Sequence, residues 1–318
     1  MSYGQNFPHN SDRFFVTDGG LETTLIFKEG FELPEFASFV LLKDEKGREA
    51  LRKYFQEYLD IALDVKAPAI LETATWRANP DWASKIGYSA EELDEMNRAS
   101  VELLLELRPG FEEYGERMIV SGCIGPRGDG YIAGDMMDPE EAKLYHLPQV
   151  SALASAGADM ISAITMTYEN EAIGIANAAA EAGLPCVISF TVETDGRLPN
   201  GSTLEDAIKR VDSQSEAPPA YYMINCAHPT HFLEALKEGS GWQERIRGTR
   251  VNASKMSHAE LDEAEELDEG DLYELAAAHR EIRRLLPNLN VAGGCCGTDE
   301  RHVGEIAKVL AVANAKTA

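Results

Sequence analysis

No stretch of this chain is both apolar and as long as the roughly 20 residues a bilayer span needs. Its first twelve residues also lack the basic-then-apolar order of a secretory signal. Basic residues are scarce: 29 lysines and arginines stand against 54 aspartates and glutamates, a formal net charge of −25. Such a surface repels nucleic acid and anionic lipid and argues against both as partners. It does not name a substrate, and a well-solvated acidic surface is the simplest account of it. A field that draws in a cationic methyl donor is compatible with this charge, but salt screens it beyond about 8–10 Å. The five cysteines are an odd number with two adjacent, which is no disulfide framework and fits a reducing cytoplasm. No linker-like composition divides the chain, so one domain over 1–318 is expected, with 1–12 as a loose N-terminal arm. A homo-oligomer is compatible with this composition.

What is present is alternation. Apolar runs that read as strands begin at Phe14, Ala69, Met118, Asp159, Cys186, Tyr221, Arg247 and Leu289, and helical periodicity fills the intervals between them. Ser89 with Glu92 three residues on forms a capping-box signature for one of these helices. Strand and helix alternating through eight repeats at 318 residues point to an α/β protein, a single-domain (β/α)8 TIM barrel. An open dinucleotide-binding sheet is disfavoured, because no Gly-x-Gly-x-x-Gly follows the first strand. The acidic stretch from Glu260 to Asp271 is expected to be a long exposed loop after the seventh strand.

The chain is organised around Val291-Ala292-Gly293-Gly294-Cys295-Cys296-Gly297-Thr298: a strand, a tight turn and a capped helix start. Adjacent cysteines cannot readily bond to each other. Cys226 closes another apolar strand, Tyr221 to Asn225. In a barrel, chemistry gathers at the C-terminal strand ends, where all three thiolates could meet. They are the soft ligands Zn2+ prefers, and three of them leave a fourth position open. Such a site suits alkyl transfer to sulfur, because a coordinated substrate thiol loses its proton. A zinc hydrolase or lyase on the same barrel is the rival enzyme, but no His-Glu or paired-carboxylate motif marks its base. A zinc- or thiol-binding protein without turnover is the rival outside enzymes. Cys186, at a strand start, reads as core; Cys123 has no assigned role. Trp76 offers an indole face to an onium cation, an attraction of about 0.5–2 kcal/mol, or else covers the barrel rim.

Asn225-Cys226 followed by Gly293-Gly294-Cys295-Cys296-Gly297-Thr298 resembles the zinc-dependent homocysteine S-methyltransferase family. Asp18-Gly19-Gly20, Gly125-Pro126-Arg127-Gly128 and Asp195-Gly196-Arg197 match in order, so the resemblance covers nearly the whole chain. It implies the barrel fold, zinc on Cys226, Cys295 and Cys296, and methyl transfer from a small-molecule sulfonium donor to homocysteine, giving methionine. Folate and cobalamin users in that family carry further domains, and betaine users a C-terminal extension, so a sulfonium such as S-methylmethionine or S-adenosylmethionine is expected. Asp18, Gly19 and Gly20 match the substrate site, although a tight turn capped by Asp18 explains them equally well. Asn225 and Asn252 match asparagines near the site. Glu72 and Thr73 end the second strand, where the family has small polar residues.

One departure bears on the acceptor. Family members end the fourth strand with Glu-Thr, the glutamate binding the amino group of homocysteine, whereas this chain has Ile164-Thr165. Either Glu72 supplies the missing charge from another wall, or the acceptor is a thiol without an amino group and packs against Ile164.

Overall fold

The computed structural model of the chain describes residues 7–237, 241–264 and 266–314, with side chains to 311. Eight strands form a closed parallel ring in sequence order: β1 (Phe15–Thr17), β2 (Ala69–Glu72), β3 (Met118–Ile124), β4 (Met160–Met166), β5 (Cys186–Phe190), β6 (Tyr221–Asn225), β7 (Ile246–Val251) and β8 (Val291–Gly294). The ring closes where Phe15 faces Val291 and Val16 faces Ala292. The helices are α1 (Leu21–Phe27), α2 (Glu45–Asp64), α3 (Pro80–Lys85), α4 (Ala90–Glu112), α5 (Pro139–Ala156) and α6 (Glu169–Glu181). They continue with α7 (Leu204–Gln214), α8 (Pro229–Phe232), α9 (His258–Asp262), α10 (Leu272–Leu285) and α11 (Glu300–Asn314). The (β/α)8 barrel is thus the observed fold. Ser89 caps α4 with Glu92 in a full capping box. Among the described residues no helix is long and apolar enough to cross a membrane.

Two cores follow from the strand period of two. Outward-facing residues pack under the helices in one large cluster. Inward-facing Phe15, Ile70, Ile119, Met160, Val187, Tyr221, Met223 and Val291 fill the lower barrel. Two residues further along the same strands the lining turns polar: Glu72, Ser121, Ser162, Ser189, Asn225 and Arg250 are all buried. Chemistry is therefore seated on an apolar floor at the C-terminal end.

The segment expected to be a loose arm is packed over 7–12, while 1–6 lie outside the described residues. Phe7 plugs the lower core. Asn290 Nδ2 donates to the carbonyls of Pro8 and Ser11, both at 2.8 Å, and Arg247 Nη1 donates to Pro8 O at 3.1 Å. An open barrel bottom would expose Phe15 and Tyr221, and this short turn covers them.

Candidate metal and substrate site

β8 ends in a turn whose glycines tolerate no side chain. A Cβ on Gly294 would come within 1.9 Å of Thr298 Oγ1, and Gly297 has φ of +77°. Thr298 donates from its hydroxyl (2.7 Å) and its amide (3.1 Å) to Cys295 O, which fixes the two cysteines on the turn. Cys226, one residue past β6, sits at φ +54°, a left-handed conformation rare for a residue with a side chain. Strain of this kind survives only where the surroundings impose it, and it collects at functional sites. Here Asn252 Nδ2 donates to Cys226 O at 3.1 Å, and His258 Nε2 lies 2.7 Å from the same oxygen.

The sulfurs of Cys226, Cys295 and Cys296 all lie within 4.8 Å of one another. Cys226 Sγ is 3.8 Å from Cys296 Sγ, the spacing that two ligands about 2.3 Å from a tetrahedral zinc would have. Its distance to Cys295 Sγ is shorter, 2.8 Å. Hydrogen bonds from the other two thiols, helped by the charge of Arg250, hold the Cys295 thiol well below its ordinary value. The same contacts push the Cys226 thiol well above its ordinary value, and Cys296 rises too, Cys226 opposing and Cys295 raising it, so the trio shares its protons; as a donor set, three sulfurs fit a soft divalent metal. Tyr131 closes one side: its ring stacks on His258 at 4.0 Å, and its hydroxyl is 3.8 Å from Cys296 Sγ. Burial pushes the other two thiols up, Cys123 well above its ordinary value and Cys186 to about 12, so neither is a thiolate at neutral pH.

These sulfurs open into a cavity of about 420 Å³. Asp18, Gly19, Gly20, Glu72, Thr73, Trp76, Ile164 and Thr165 line it as the sequence suggested, but several of them are already engaged. Asp18 is bonded on both carboxylate oxygens: Oδ2 accepts from Glu72 N at 3.0 Å, and Oδ1 accepts from Arg250 Nη2. It staples β1, β2 and β7 together. The glycines serve close approach, since a Cβ on Gly20 would meet Cys295 O at 2.5 Å, and the Gly20 amide donates to Thr298 O at 3.1 Å. The turn is tight, but Asp18 does not cap it: the N-cap of α1 is Gly20, with no side-chain cap bond. Thr73 Oγ1 accepts from Cys123 N at 2.8 Å.

Trp76 already carries one cation on its indole. The guanidinium carbon of Arg77 lies 4.2 Å from its ring centroid, its Nε1 donates to Ile164 O at 3.2 Å, and Gly125 and Gly130 press against it. Asn225 and Asn252 do not line the cavity; they stand behind it. Asn225 accepts from the amide of Thr165 (2.9 Å) and the hydroxyl of Ser189 (2.7 Å), and donates to Thr165 Oγ1 at 2.8 Å. That clasp holds Thr165 at φ +65° beside a register shift between β4 and β5. β-Bulges commonly re-aim side chains at active sites.

Glu72 remains partly open. It is 6% exposed, its Oε1 stands 3.8 Å from Arg250 Nη1, and its Oε2 is buried without a hydrogen-bond partner. Burial pushes its carboxyl up to about 7; Arg250 opposes the shift, Asp18 adds to it, and the Ser121 and Ser162 hydroxyls oppose it more weakly.

Three contributors were not read from the sequence. Arg250 donates to Gly294 O, Thr17 Oγ1 and Gly19 O besides Asp18. A charged residue at an inward position near a strand end was the available signal, but β7 reads as a weak polar strand. Tyr131 and Arg77 carried none. The acidic stretch is the exposed loop expected after the seventh strand, its first three residues completing α9, and Leu261, Asp262, Leu267 and Asp268 also line the cavity. Leu261 and Leu267 give it an apolar underside.

The family profile described as Homocysteine S-methyltransferase matches residues 15–310. Homocysteine S-methyltransferase 1 of Arabidopsis thaliana is 27% identical over 243 residues, 70% of each chain. Betaine–homocysteine S-methyltransferase 1 of Rattus norvegicus is 24% identical over 325 residues, covering 95% of this chain and 73% of that one. In fold, the chain is similar to the metallated form of the homocysteine methyltransferase MmuM from Escherichia coli, with a TM-score of 0.73 and 20% identity over 94% of this chain and 96% of that one.

Proposed function

This chain belongs to the homocysteine S-methyltransferase family, whose members are S-methyltransferases, and we propose that it moves a methyl group from a sulfonium donor to the thiol of homocysteine at a zinc centre held by Cys226, Cys295 and Cys296. One observation carries this reading: three sulfurs from two strand ends converge within 4.8 Å on the wall of a cavity large enough for two small reactants. Bound there, zinc supplies the Lewis acidity that keeps an acceptor thiol deprotonated at neutral pH. The solved MmuM structure in metallated form supports the choice of a metal site.

The chain's own residues do the rest. Arg250, facing Cys295, offsets the negative charge gathered on the sulfurs. Glu72 receives the acceptor's ammonium on its unpartnered Oε2, in place of the glutamate that Ile164 replaces. The acidic loop borders the cavity and brings the carboxylate of Asp262 to a cationic donor. The acceptor sulfur attacks the methyl carbon, and the electron pair of the breaking C–S bond stays on the donor. The donor then leaves as a neutral thioether. Holding both reactants in line can account for about 7–11 kcal/mol of the barrier.

Methionine formation from S-methylmethionine is the assay, with homocysteine compared with its amine-free analogue 4-mercaptobutyrate in wild type and Glu72→Gln. Wild type should prefer homocysteine strongly and the variant should lose that preference. Equal or better use of the amine-free thiol by wild type would assign a different acceptor. Turnover with methylcobalamin or methylfolate and with no sulfonium would overturn the donor class.

A further inference from the structure

Two guanidinium groups line the cavity, and they are held differently. Arg250 is saturated by Asp18, Thr17 Oγ1 and two backbone carbonyls. Arg77 is 8% exposed and lies between two indoles, with its Cζ 3.7 Å from the Trp82 ring centroid and 4.2 Å from that of Trp76. Nη1 donates to Gly128 O at 3.0 Å, while Nε is buried without a partner. Among the described residues no carboxylate pairs with it. Asp129 and Glu22 act on it from a distance, and both are engaged: Asp129 Oδ1 accepts from the amides of Tyr131 (2.7 Å) and Ile132 (3.2 Å), and Glu22 Oε1 accepts from Ser38 Oγ at 2.8 Å.

A guanidinium stripped of water and left with an unmet N–H is costly. Stacking between aromatic faces retains its charge and aims its planar fork, and a carboxylate is the acceptor that fits the fork. Its place in the ring gives the carboxylate an owner. Arg77 follows β2, and in a ring of eight strands β2 lies opposite β6, the strand that Cys226 follows. Glu72, on the last residue of β2, lies deeper in the barrel than Arg77, and it takes the ammonium of the acceptor. A molecule reaching from the sulfurs towards the rim on Arg77's side is therefore the second reactant, the donor. A bare onium would be repelled there, whereas one that carries a carboxylate would be drawn in. We propose that Arg77 is the residue that binds the carboxylate of the methyl donor, so that one guanidinium sets how strongly this chain prefers a carboxylated onium over its carboxyl-free analogue. This rests on the methyl-transfer reading above.

The test uses the zinc-loaded chain, saturating homocysteine and two donors that differ only in the carboxylate: S-methylmethionine and (3-aminopropyl)dimethylsulfonium. A charge-assisted bond of this type predicts a preference of about 10- to 100-fold in kcat/KM for the carboxylated donor. In Arg77→Met the ratio should fall to near one through KM, and Arg77→Lys should keep part of it. Calorimetric binding of the two donors without acceptor should show the same ratio and the same loss. Equal weakening of both donors in Arg77→Met, with a lowered Tm, would show a structural residue and overturn the proposal. A loss confined to homocysteine relative to 3-aminopropanethiol, its decarboxylated form, would assign the carboxylate to the acceptor and overturn it too. Absence of turnover with every sulfonium would strike the functional reading instead, and the binding ratio would still decide Arg77.

Discussion

Glu72→Gln separates a carboxyl group from an isosteric amide at the most unusual position in the cavity wall. Burial raises the Glu72 carboxyl from 4.5 to about 7 in the folded chain, so the native state holds a proton that the unfolded chain has released. Stability is then fully present below about pH 4.5 and is lost as pH rises through about 7. A shift of this size corresponds to about 3 kcal/mol over that window, at about 1.4 kcal/mol per unit. The side chain is only 6% exposed, so solvent screening does little to reduce it. Wild type and variant share every other titrating group, and the general effect of a net charge of −25 cancels in their difference. Zinc-loaded samples melted at several pH values between about 5 and 8 should give curves that diverge with pH, the variant gaining relative to wild type as pH rises. Saturating homocysteine should narrow the gap above pH 7, because its ammonium adds to the one counter-charge, Arg250 at 3.8 Å, that the ionised carboxylate shares with Asp18. Melting curves that stay parallel across the range would refute both the raised carboxyl of Glu72 and the role given to it.

Arg250→Met should cost about 3–5 kcal/mol, because it leaves Asp18 and Glu72 buried without a counter-charge. Calorimetric Tm at pH 8 should fall further than at pH 5, since low pH protonates the stranded carboxylates. Alanine at Cys226, Cys295 or Cys296 should abolish methyl transfer and lower bound zinc from about one per chain, while Cys186→Ala, at the start of β5, should retain it; metal analysis decides. Asn225→Ala leaves the Thr165 amide and the Ser189 hydroxyl buried without their shared acceptor, a loss of about 1–3 kcal/mol that should appear as a lower Tm and poorer zinc retention.

The fold was legible because barrel strands buried on both sides read as short continuous apolar runs. Cys186–Phe190 and Tyr221–Asn225 were bounded by turn residues and lie where the runs placed them. β4 runs on to Met166 because a register shift carries the chain past Ile164, and no propensity records a bulge. The cysteine trio was legible for a local reason: a glycine-flanked pair after a strand constrains both thiols to one side. Contacts that depend on loop path were not. Arg77 lies on the indole of its own sequence neighbour, an arrangement set by the turn after β2 and by Gly125 and Gly130 behind it. Asp18 looked like a substrate ligand because its partner, Arg250, is 232 residues away.

The sulfurs come from β6 and from the turn after β8, strands separated by β7, and β8 is the last strand of the ring. A chain leaving the ribosome N-terminus first makes Cys226 long before Cys295 and Cys296. Until β8 slots between β7 and β1, Cys226 has no partner sulfur and Asp18 and Arg250 face each other across an open seam. The act that seals the ring also brings the three sulfurs together, so zinc uptake at the proposed centre is expected only once the last strand has arrived.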